Sequence, residues 1–195
     1  SIAEEYTNRL INALKLLKVC EPHEKECDMG PLVSEQAACE VENKVNQTIK
    51  QGARCVFGGK RYNKTYFEPT VLKDVTADMD IAKDMEIFGP VVPIIEFEEN
   101  DEAIKIANQT KYGLSGGVIG RDIKAALSTA LKLESGTTVV NGCGDYRTLY
   151  TPFGGHKMSG IGTEGLMLTL EEMMLTKCVA LKGIVEESVS ESVLR

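Results

Sequence analysis

Apolar residues recur every three to four positions in five stretches of the chain, and this spacing predicts amphipathic helices. The stretches cover residues 1–18, 34–51, 100–107, 122–133 and 166–174. Ser34 is suited to cap the start of the second helix, Gly52 to end it, and Asn100 to cap the third. The periodic pattern therefore predicts helices along the whole chain.

Short runs of apolar or β-branched residues between these helices predict strands. They lie at residues 54–57, 66–75, 91–97, 115–119, 137–140 and 176–181. Pro69 interrupts the second run, so we expect an edge strand or a loop-like strand there. From residue 91 onward strands and helices alternate with short connections, which predicts parallel βαβ units. The expected fold is α/β, with a doubly wound, mainly parallel sheet in a three-layer α/β/α arrangement.

A short motif precedes the run at 91–97. Glu86 and Phe88 stand before a Gly-Pro corner, at the mouth of the predicted strand, where open α/β sheets bind ligands. A carboxylate there can accept hydrogen bonds from ribose hydroxyls, and an aromatic side chain can offer an apolar face to a flat ring. The residues alone also allow a plainer interpretation, in which Glu86 is a solvated turn acid and Phe88 fills the core.

The segment 141–165 is a second candidate region. It holds seven glycines and almost no periodicity. A loop of that length inside a compact domain is usually functional, because binding residues are often carried on loops that a rigid scaffold positions.

Composition limits the classes of function. The chain has 195 residues, enough for one domain with an appendage, and its formal net charge is -7. No basic face is concentrated anywhere, so we expect no nucleic-acid partner. The apolar runs are too short for a membrane span and no signal peptide is visible, so we expect no membrane partner and a cytoplasmic location.

The six cysteines do not form a strong motif. None pair as C-x-x-C, and the irregular group Cys20, His23 and Cys27 is a weak candidate for a metal site. We therefore expect no metal and free thiols.

Three separated motifs resemble the aldehyde dehydrogenase superfamily. Residues 28–34, DMGPLVS, look like its DMGPLIS segment, and residues 86–91, EIFGPV, are similar to its ExFGPV motif. The loop 141–165, with PFGGHKMSGIGTEG near its end, looks like the family's glycine-rich signature. The motifs occur in the family's order, and the resemblance covers residues 1 to about 183.

The resemblance also implies what is absent. The family's catalytic cysteine, in a GQxC motif, its general-base glutamate and its NAD-binding domain lie upstream of segments like this one. The chain opens inside its first predicted helix without Met, so we expect a C-terminal fragment without catalytic residues. Residues 1–174 would be part of the catalytic domain, 175–183 the oligomerisation strand and 184–195 a flexible tail.

The resemblance assigns roles to six residues. Glu86 matches the acid that binds the nicotinamide-ribose hydroxyls, and Phe88 matches the aromatic residue beside the nicotinamide ring. Four more residues match the substrate end of the family's tunnel, namely Asn141, Gly142, Cys143 and Phe153. The loop around them is similar to that of lactaldehyde and succinate-semialdehyde dehydrogenases, which would let Arg147 face a carboxylate-bearing aldehyde.

Two functions follow as alternatives. In the first, the chain belongs to an enzyme that oxidises an aldehyde to a carboxylic acid with NAD or NADP, and the isolated chain is inactive and binds no cofactor. In the second, the chain is a non-catalytic module that assembles into a homo-oligomer through the strand at 176–181.

Overall fold

The computed structural model describes residues 2–183, and these residues form alternating helices and short strands. The helices are α1 (Ala3–Leu14), α2 (Glu35–Lys50), α3 (Asn100–Asn108), α4 (Ile123–Ala130) and α5 (Leu166–Glu172). The strands are β1 (Arg54–Phe57), β2 (Arg61–Tyr62), β3 (Tyr66–Phe67), β4 (Thr70–Lys73), β5 (Val91–Pro93), β6 (Tyr112–Gly113), β7 (Ser115–Val118), β8 (Thr137–Val140) and β9 (His156–Lys157). A 3₁₀ turn at Asp80–Ala82 precedes the motif at 86–90.

A side-chain cap decides where helix α2 begins. The hydroxyl of Ser34 accepts a hydrogen bond from the N–H of Ala37 at 3.1 Å, so Ser34 caps α2 as predicted. Gly52 follows the helix with a φ of 119°, a conformation that glycine adopts at low cost. The prediction for Asn100 was wrong. Glu99 precedes α3, and Asn100 lies inside it, where its side-chain amide donates to the hydroxyl of Thr129 at 2.8 Å.

The sheets are mixed. The order β1-β4-β5 combines an antiparallel and a parallel pairing, and β7 pairs in parallel with β8 across α4. The pairs β2–β3 and β6–β9 are short antiparallel ribbons. The parallel pair β7–β8 lies in the region where the sequence predicts βαβ units, whereas the parallel pair β4–β5 begins before that region. The α/β class is confirmed.

The position of β4 differs from its prediction. We expected an edge or loop-like strand around Pro69, but β4 lies between β1 and β5 in its sheet. The reason is that Pro69 precedes the strand, so its missing N–H is not needed in the ladder. The first residue of the ladder, Thr70, donates its N–H to Pro90 O at 2.8 Å.

The main core lies between α2 and the sheet of β4. It joins residues of both elements with those of the following turn, namely Val41, Val45, Ala53, Phe67, Leu72, Val75 and Met79. Ile87 and Val91 pack against its margin. The core therefore lies directly beneath the motif at 86–90.

The C-terminal part of the described chain contains no strand. Residues 175–183 form no regular element in the single chain, and Leu175, Val179 and Leu181 are exposed. The strand expected at 176–181 is therefore not formed within one subunit, and its pairing with a neighbouring subunit stays a prediction. The expected tail, 184–195, lies outside the described residues.

Candidate functional site

The loop 86–90 rests on helix α2 through two contacts. The ammonium group of Lys44 donates a hydrogen bond to the backbone carbonyl of Glu86 at 2.6 Å. Gly89 lies so close to the helix that a Cβ atom built on it would stand 2.7 Å from Cγ2 of Val41. Because Val41 is buried in the core, this close approach requires glycine. Helix α2 therefore fixes the backbone of the loop on both sides of Phe88.

Glu86 and Phe88 both face solvent. Phe88 has a φ of 51°, in the left-handed region that an aromatic residue rarely adopts, and it is 78% exposed. The interpretation of Phe88 as a core residue is therefore wrong. Glu86 is exposed, as expected, and its carboxylate has no hydrogen-bond or ion-pair partner among residues 2–183. Backbone strain at an exposed residue is a feature of functional sites.

Glu86 borders a cavity of about 510 Å³, a volume within the range of small-molecule sites, about 300–1,000 Å³. Other walls come from β7 and from the turn before β8, through Ser115 and Glu134. Ser159 closes a further side, and its hydroxyl accepts a hydrogen bond from the N–H of Gly113 at 2.9 Å. The cavity therefore joins the motif at 86–90 to the loop 141–165.

Asn141 shapes the turn that follows β8. It has a φ of 57°, and its N–H donates to Val118 O at 2.7 Å. Its side-chain oxygen Oδ1 accepts a hydrogen bond from the N–H of Gly120 at 2.9 Å. Asn141 thus ties the ends of β7 and β8 together, while its side-chain Nδ2 donates to no residue between 2 and 183. That donor is available to a ligand.

Gly142 and Cys143 continue this turn. A Cβ atom built on Gly117 would stand 2.9 Å from the carbonyl oxygen of Gly142, so the turn packs closely on β7. The exposed thiol of Cys143 donates to Oδ1 of Asp145 at 2.5 Å, and this carboxylate raises the pKa of Cys143. A nucleophilic cysteine needs the opposite environment, one that lowers its pKa.

Phe153 is held by contacts that the sequence pattern does not predict. Its backbone N–H and C=O pair with those of Glu164 at 2.9 and 2.7 Å. The guanidinium of Arg147 lies 4.1 Å from the centre of the Phe153 ring, and its Nη2 lies 2.5 Å from Oε2 of Glu164. The side chain of Arg147 therefore contacts residues of its own loop, whereas the expected partner was a substrate carboxylate.

Lys157 anchors the same loop to the rest of the molecule. Its ammonium group donates to the carbonyl oxygens of Asn108 and Thr110 at 2.7 and 3.0 Å. It also lies 2.7 Å from Oε2 of Glu134, and its side chain is 25% exposed. Lys157 therefore ties the glycine-rich loop to the end of α3, to the segment that follows it and to the turn before β8.

The candidate residues fall into two groups in space. Glu86 and Phe153 border two adjacent cavities that share Leu114 and Ser159 as walls. The turn 141–143 lines neither of these cavities. The structure thus connects the motif at 86–90 with the glycine-rich loop 141–165 through β6 and β7. The other candidate residues, 141–143, lie on a separate turn.

Metal and membrane sites are not found among the described residues. Between residues 2 and 183, no three His, Cys, Asp or Glu side chains are arranged to hold a metal ion, which includes the group Cys20, His23 and Cys27. In the same part of the chain, no helix is long and apolar enough to cross a membrane.

Several known proteins are similar to this chain in sequence and structure. A lactaldehyde dehydrogenase of Methanococcus maripaludis (strain C7) is 38% identical over 183 residues, which are 94% of this chain and 39% of the relative. The structure of glyceraldehyde-3-phosphate dehydrogenase GapN from Methanocaldococcus jannaschii, complexed with NADP, is 40% identical with a TM-score of 0.83. That match covers 88% of this chain and 37% of the other.

A third match is aldehyde dehydrogenase 21 from Physcomitrella patens, in complex with the reaction product succinate. It is 32% identical with a TM-score of 0.87, and the match covers 94% of this chain and 38% of the other. The chain therefore spans slightly less than two fifths of the length of these relatives. The model of the aldehyde dehydrogenase family matches residues 1–179. The motifs, the fold and the match to the family model show that the chain belongs to the aldehyde dehydrogenase family.

Proposed function

We propose that this chain is part of an NAD(P)-dependent enzyme that oxidises a small aldehyde to a carboxylic acid. The observation that carries the proposal is the loop 86–90. It presents Glu86 and Phe88 to solvent in a strained backbone conformation, beside a cavity suited to a small molecule. Relatives named as lactaldehyde dehydrogenases support the reaction class, and the relative complexed with NADP supports the cofactor class.

The residues present fit one end of a nicotinamide cofactor. The carboxylate of Glu86 can accept hydrogen bonds from two ribose hydroxyls, because no residue between 2 and 183 donates a hydrogen bond to it. The exposed ring of Phe88 offers an apolar face to a flat ring. When bound, the cofactor would supply the acceptor for a hydride, while this chain would orient it through Glu86 and Phe88.

No described cysteine lines the cavity beside Glu86. The neighbouring Cys27 raises the pKa of Cys20, burial raises that of Cys55, and the hydrogen bond to Asp145 raises that of Cys143, whereas a catalytic thiol needs a lowered pKa. We therefore propose that the isolated chain has no dehydrogenase activity and binds no cofactor by itself. Formation of NADH or NADPH from any aldehyde by the purified chain would overturn this part of the proposal.

The role of Glu86 is tested by Glu86→Gln in an intact aldehyde dehydrogenase that contains this sequence. Loss of charge-assisted hydrogen bonds to ribose should weaken NAD(P)+ binding roughly tenfold or more. Equilibrium dialysis or quenching of bound cofactor fluorescence measures this affinity independently of turnover. Glu98→Gln removes another exposed acid, outside the loop, and should leave the affinity unchanged. Equal affinity of the Glu86→Gln variant and the parent would show that Glu86 does not bind the cofactor.

A second function, assembly into a homo-oligomer, is favoured by one observation. Leu175, Val179 and Leu181 expose 98%, 70% and 75% of their surface in a segment without intramolecular strand pairing. Exposed apolar residues close together in one segment are typical of association surfaces.

We further propose a cytoplasmic location, which the free thiols of the six cysteines support.

A further inference from the structure

Two half-buried cysteines stand at the ends of a closed loop, residues 20–27. Its base is held by backbone hydrogen bonds from Cys20 N to Met29 O at 3.1 Å and from Asp28 N to Lys18 O at 3.0 Å. An ion pair between Lys18 and Glu26 crosses the same base. The chain therefore turns back on itself between the two cysteines, and the two ends of the loop lie side by side.

The two thiols converge within this loop. The carbonyl oxygen of Met29 accepts both the N–H of Cys20 and, at 3.5 Å, the thiol of Cys27. The thiol of Cys20 donates at 3.5 Å to the carbonyl oxygen of Lys18, which also accepts the N–H of Asp28 across the base of the loop. The neighbouring Cys27 is the main cause that raises the pKa of Cys20 to about 11, and burial is a further cause. Both thiols therefore lie at the hydrogen-bonded base of the loop.

The other cysteines have different surroundings. Cys55 donates its thiol to the backbone of its own turn, Cys143 donates to Asp145, and Cys178 lies exposed in the segment 175–183. The loop 20–27 also lacks a third group placed for a metal, as shown above for the described residues. Its chemistry is therefore that of a pair of thiols.

We propose that Cys20 and Cys27 are a dithiol site that low-molecular-weight disulfides oxidise to an intramolecular disulfide. Cys27 loses its proton to solvent, and its sulfur attacks one sulfur of the small disulfide, which breaks the S–S bond and releases one thiolate. Cys20 then loses its proton and attacks the sulfur of Cys27 in the mixed disulfide, which releases the second thiolate. The protein loses two electrons and two protons, and the small disulfide becomes two thiols.

The order of these steps follows from the environment of Cys20. Its raised pKa makes it the poorer first nucleophile, and the largest cause is Cys27 itself. Capping of Cys27 as a mixed disulfide removes that cause and leaves Cys20 beside the sulfur that it attacks. The loop also meets the hairpin β2–β3, where the hydroxyl of Tyr66 donates to Oε1 of Glu21 at 2.6 Å. A disulfide between Cys20 and Cys27 would therefore cross-link a loop that already packs against the hairpin.

The test treats the reduced, folded chain with oxidised glutathione, blocks remaining thiols with N-ethylmaleimide, and maps the products by mass spectrometry. Trypsin cleaves after Lys25 and so separates Cys20 from Cys27, and a Cys39→Ser background leaves a single cysteine in the second peptide. We expect a disulfide-linked peptide pair containing Cys20 and Cys27. In the Cys20→Ser variant, we expect Cys27 to accumulate instead as a stable glutathione adduct.

Two comparisons separate folded geometry from mere nearness in sequence. The same reaction in concentrated urea should form the Cys20–Cys27 link at least severalfold more slowly, because the base of the loop is then open. Cys143→Ser, which removes a thiol elsewhere, should leave the link unchanged. The proposal fails if both cysteines of the folded chain end as separate adducts or as alkylated thiols, or if urea does not slow the link.

Discussion

Gly89 shows at the scale of one residue how the core holds the candidate site. A Cβ atom at this position would stand 2.7 and 2.9 Å from the two γ-methyl groups of Val41. We therefore expect Gly89→Ala to lower the free energy of unfolding by about 1–3 kcal/mol, the usual cost of forcing a methyl group into a packed core. Urea unfolding followed by circular dichroism measures the difference.

Gly120→Ala is the matched control for this substitution. Its added methyl group would meet Cβ of Ala126 at 3.6 Å, an ordinary contact, and neither glycine has a φ in the left-handed region. The control should be neutral or slightly stabilising, because alanine restricts the unfolded chain more than glycine does. Equal stability of the two variants would mean that the loop does not depend on its contact with Val41.

Residue-level prediction from the sequence succeeded where a motif is local. The exposure of Glu86 followed from its place in the motif at 86–90. The anchors of the site could not be read in this way, because they join distant positions. Lys44 reaches the carbonyl of a residue 42 positions away. Arg147 lies over Phe153 and pairs with Glu164 only because the loop folds back on itself. The spacing of these residues does not show whether Arg147 pairs with a carboxylate of the protein or with one of a bound substrate.

At the scale of elements, Tyr66 joins the hairpin β2–β3 to the loop 20–27. Its hydrogen bond to Glu21 raises the pKa of Tyr66 from 10.0 to about 12. A pKa that folding raises contributes stability that is complete below pH 10, the unfolded value, and is lost as the pH rises through about 12. We therefore expect the stability difference between the parent chain and Tyr66→Phe to shrink over this interval.

Unfolding by urea at several pH values between 8 and 12 measures this difference. Tyr6→Phe is the control, because Tyr6 is 52% exposed and its hydroxyl has no hydrogen-bond partner among the described residues. Subtraction of each variant from the parent cancels the titration of lysines common to all three chains. A difference for Tyr66→Phe that stays constant with pH would show that its hydroxyl does not link the two elements.

Element prediction was most accurate where local chemistry is decisive. The strands β1 and β8 have their expected bounds, and Ser34 caps α2. The errors concern tertiary choices. Pro69 lies just outside a strand that is central in its sheet, and the amide of Asn100 bonds to Thr129 of α4 in place of capping its own helix. A sequence pattern shows which bonds a residue can make, and packing between elements decides which of them it makes.

At the scale of the whole molecule, one group of exposed apolar residues lies near the end of the described chain. Five residues there expose more than half of their surface, namely Met173, Met174, Leu175, Val179 and Leu181. Neighbouring exposed apolar side chains are typical of association surfaces. We therefore expect the chain to self-associate at concentrations of tens of micromolar, where mass action favours weak dimers.

Sedimentation velocity over a range of concentrations measures this association. The double substitution Leu175→Glu and Val179→Glu places charge on the apolar segment and should shift the chain to a monomer. Lys177→Asp alters charge in the same segment without removing an apolar side chain, so it should leave most of the association intact. A parent chain that sediments as a monomer at every concentration would remove the support for assembly through residues 175–183. It would leave the proposed role of Glu86 unaffected, because that site lies on a separate loop above α2.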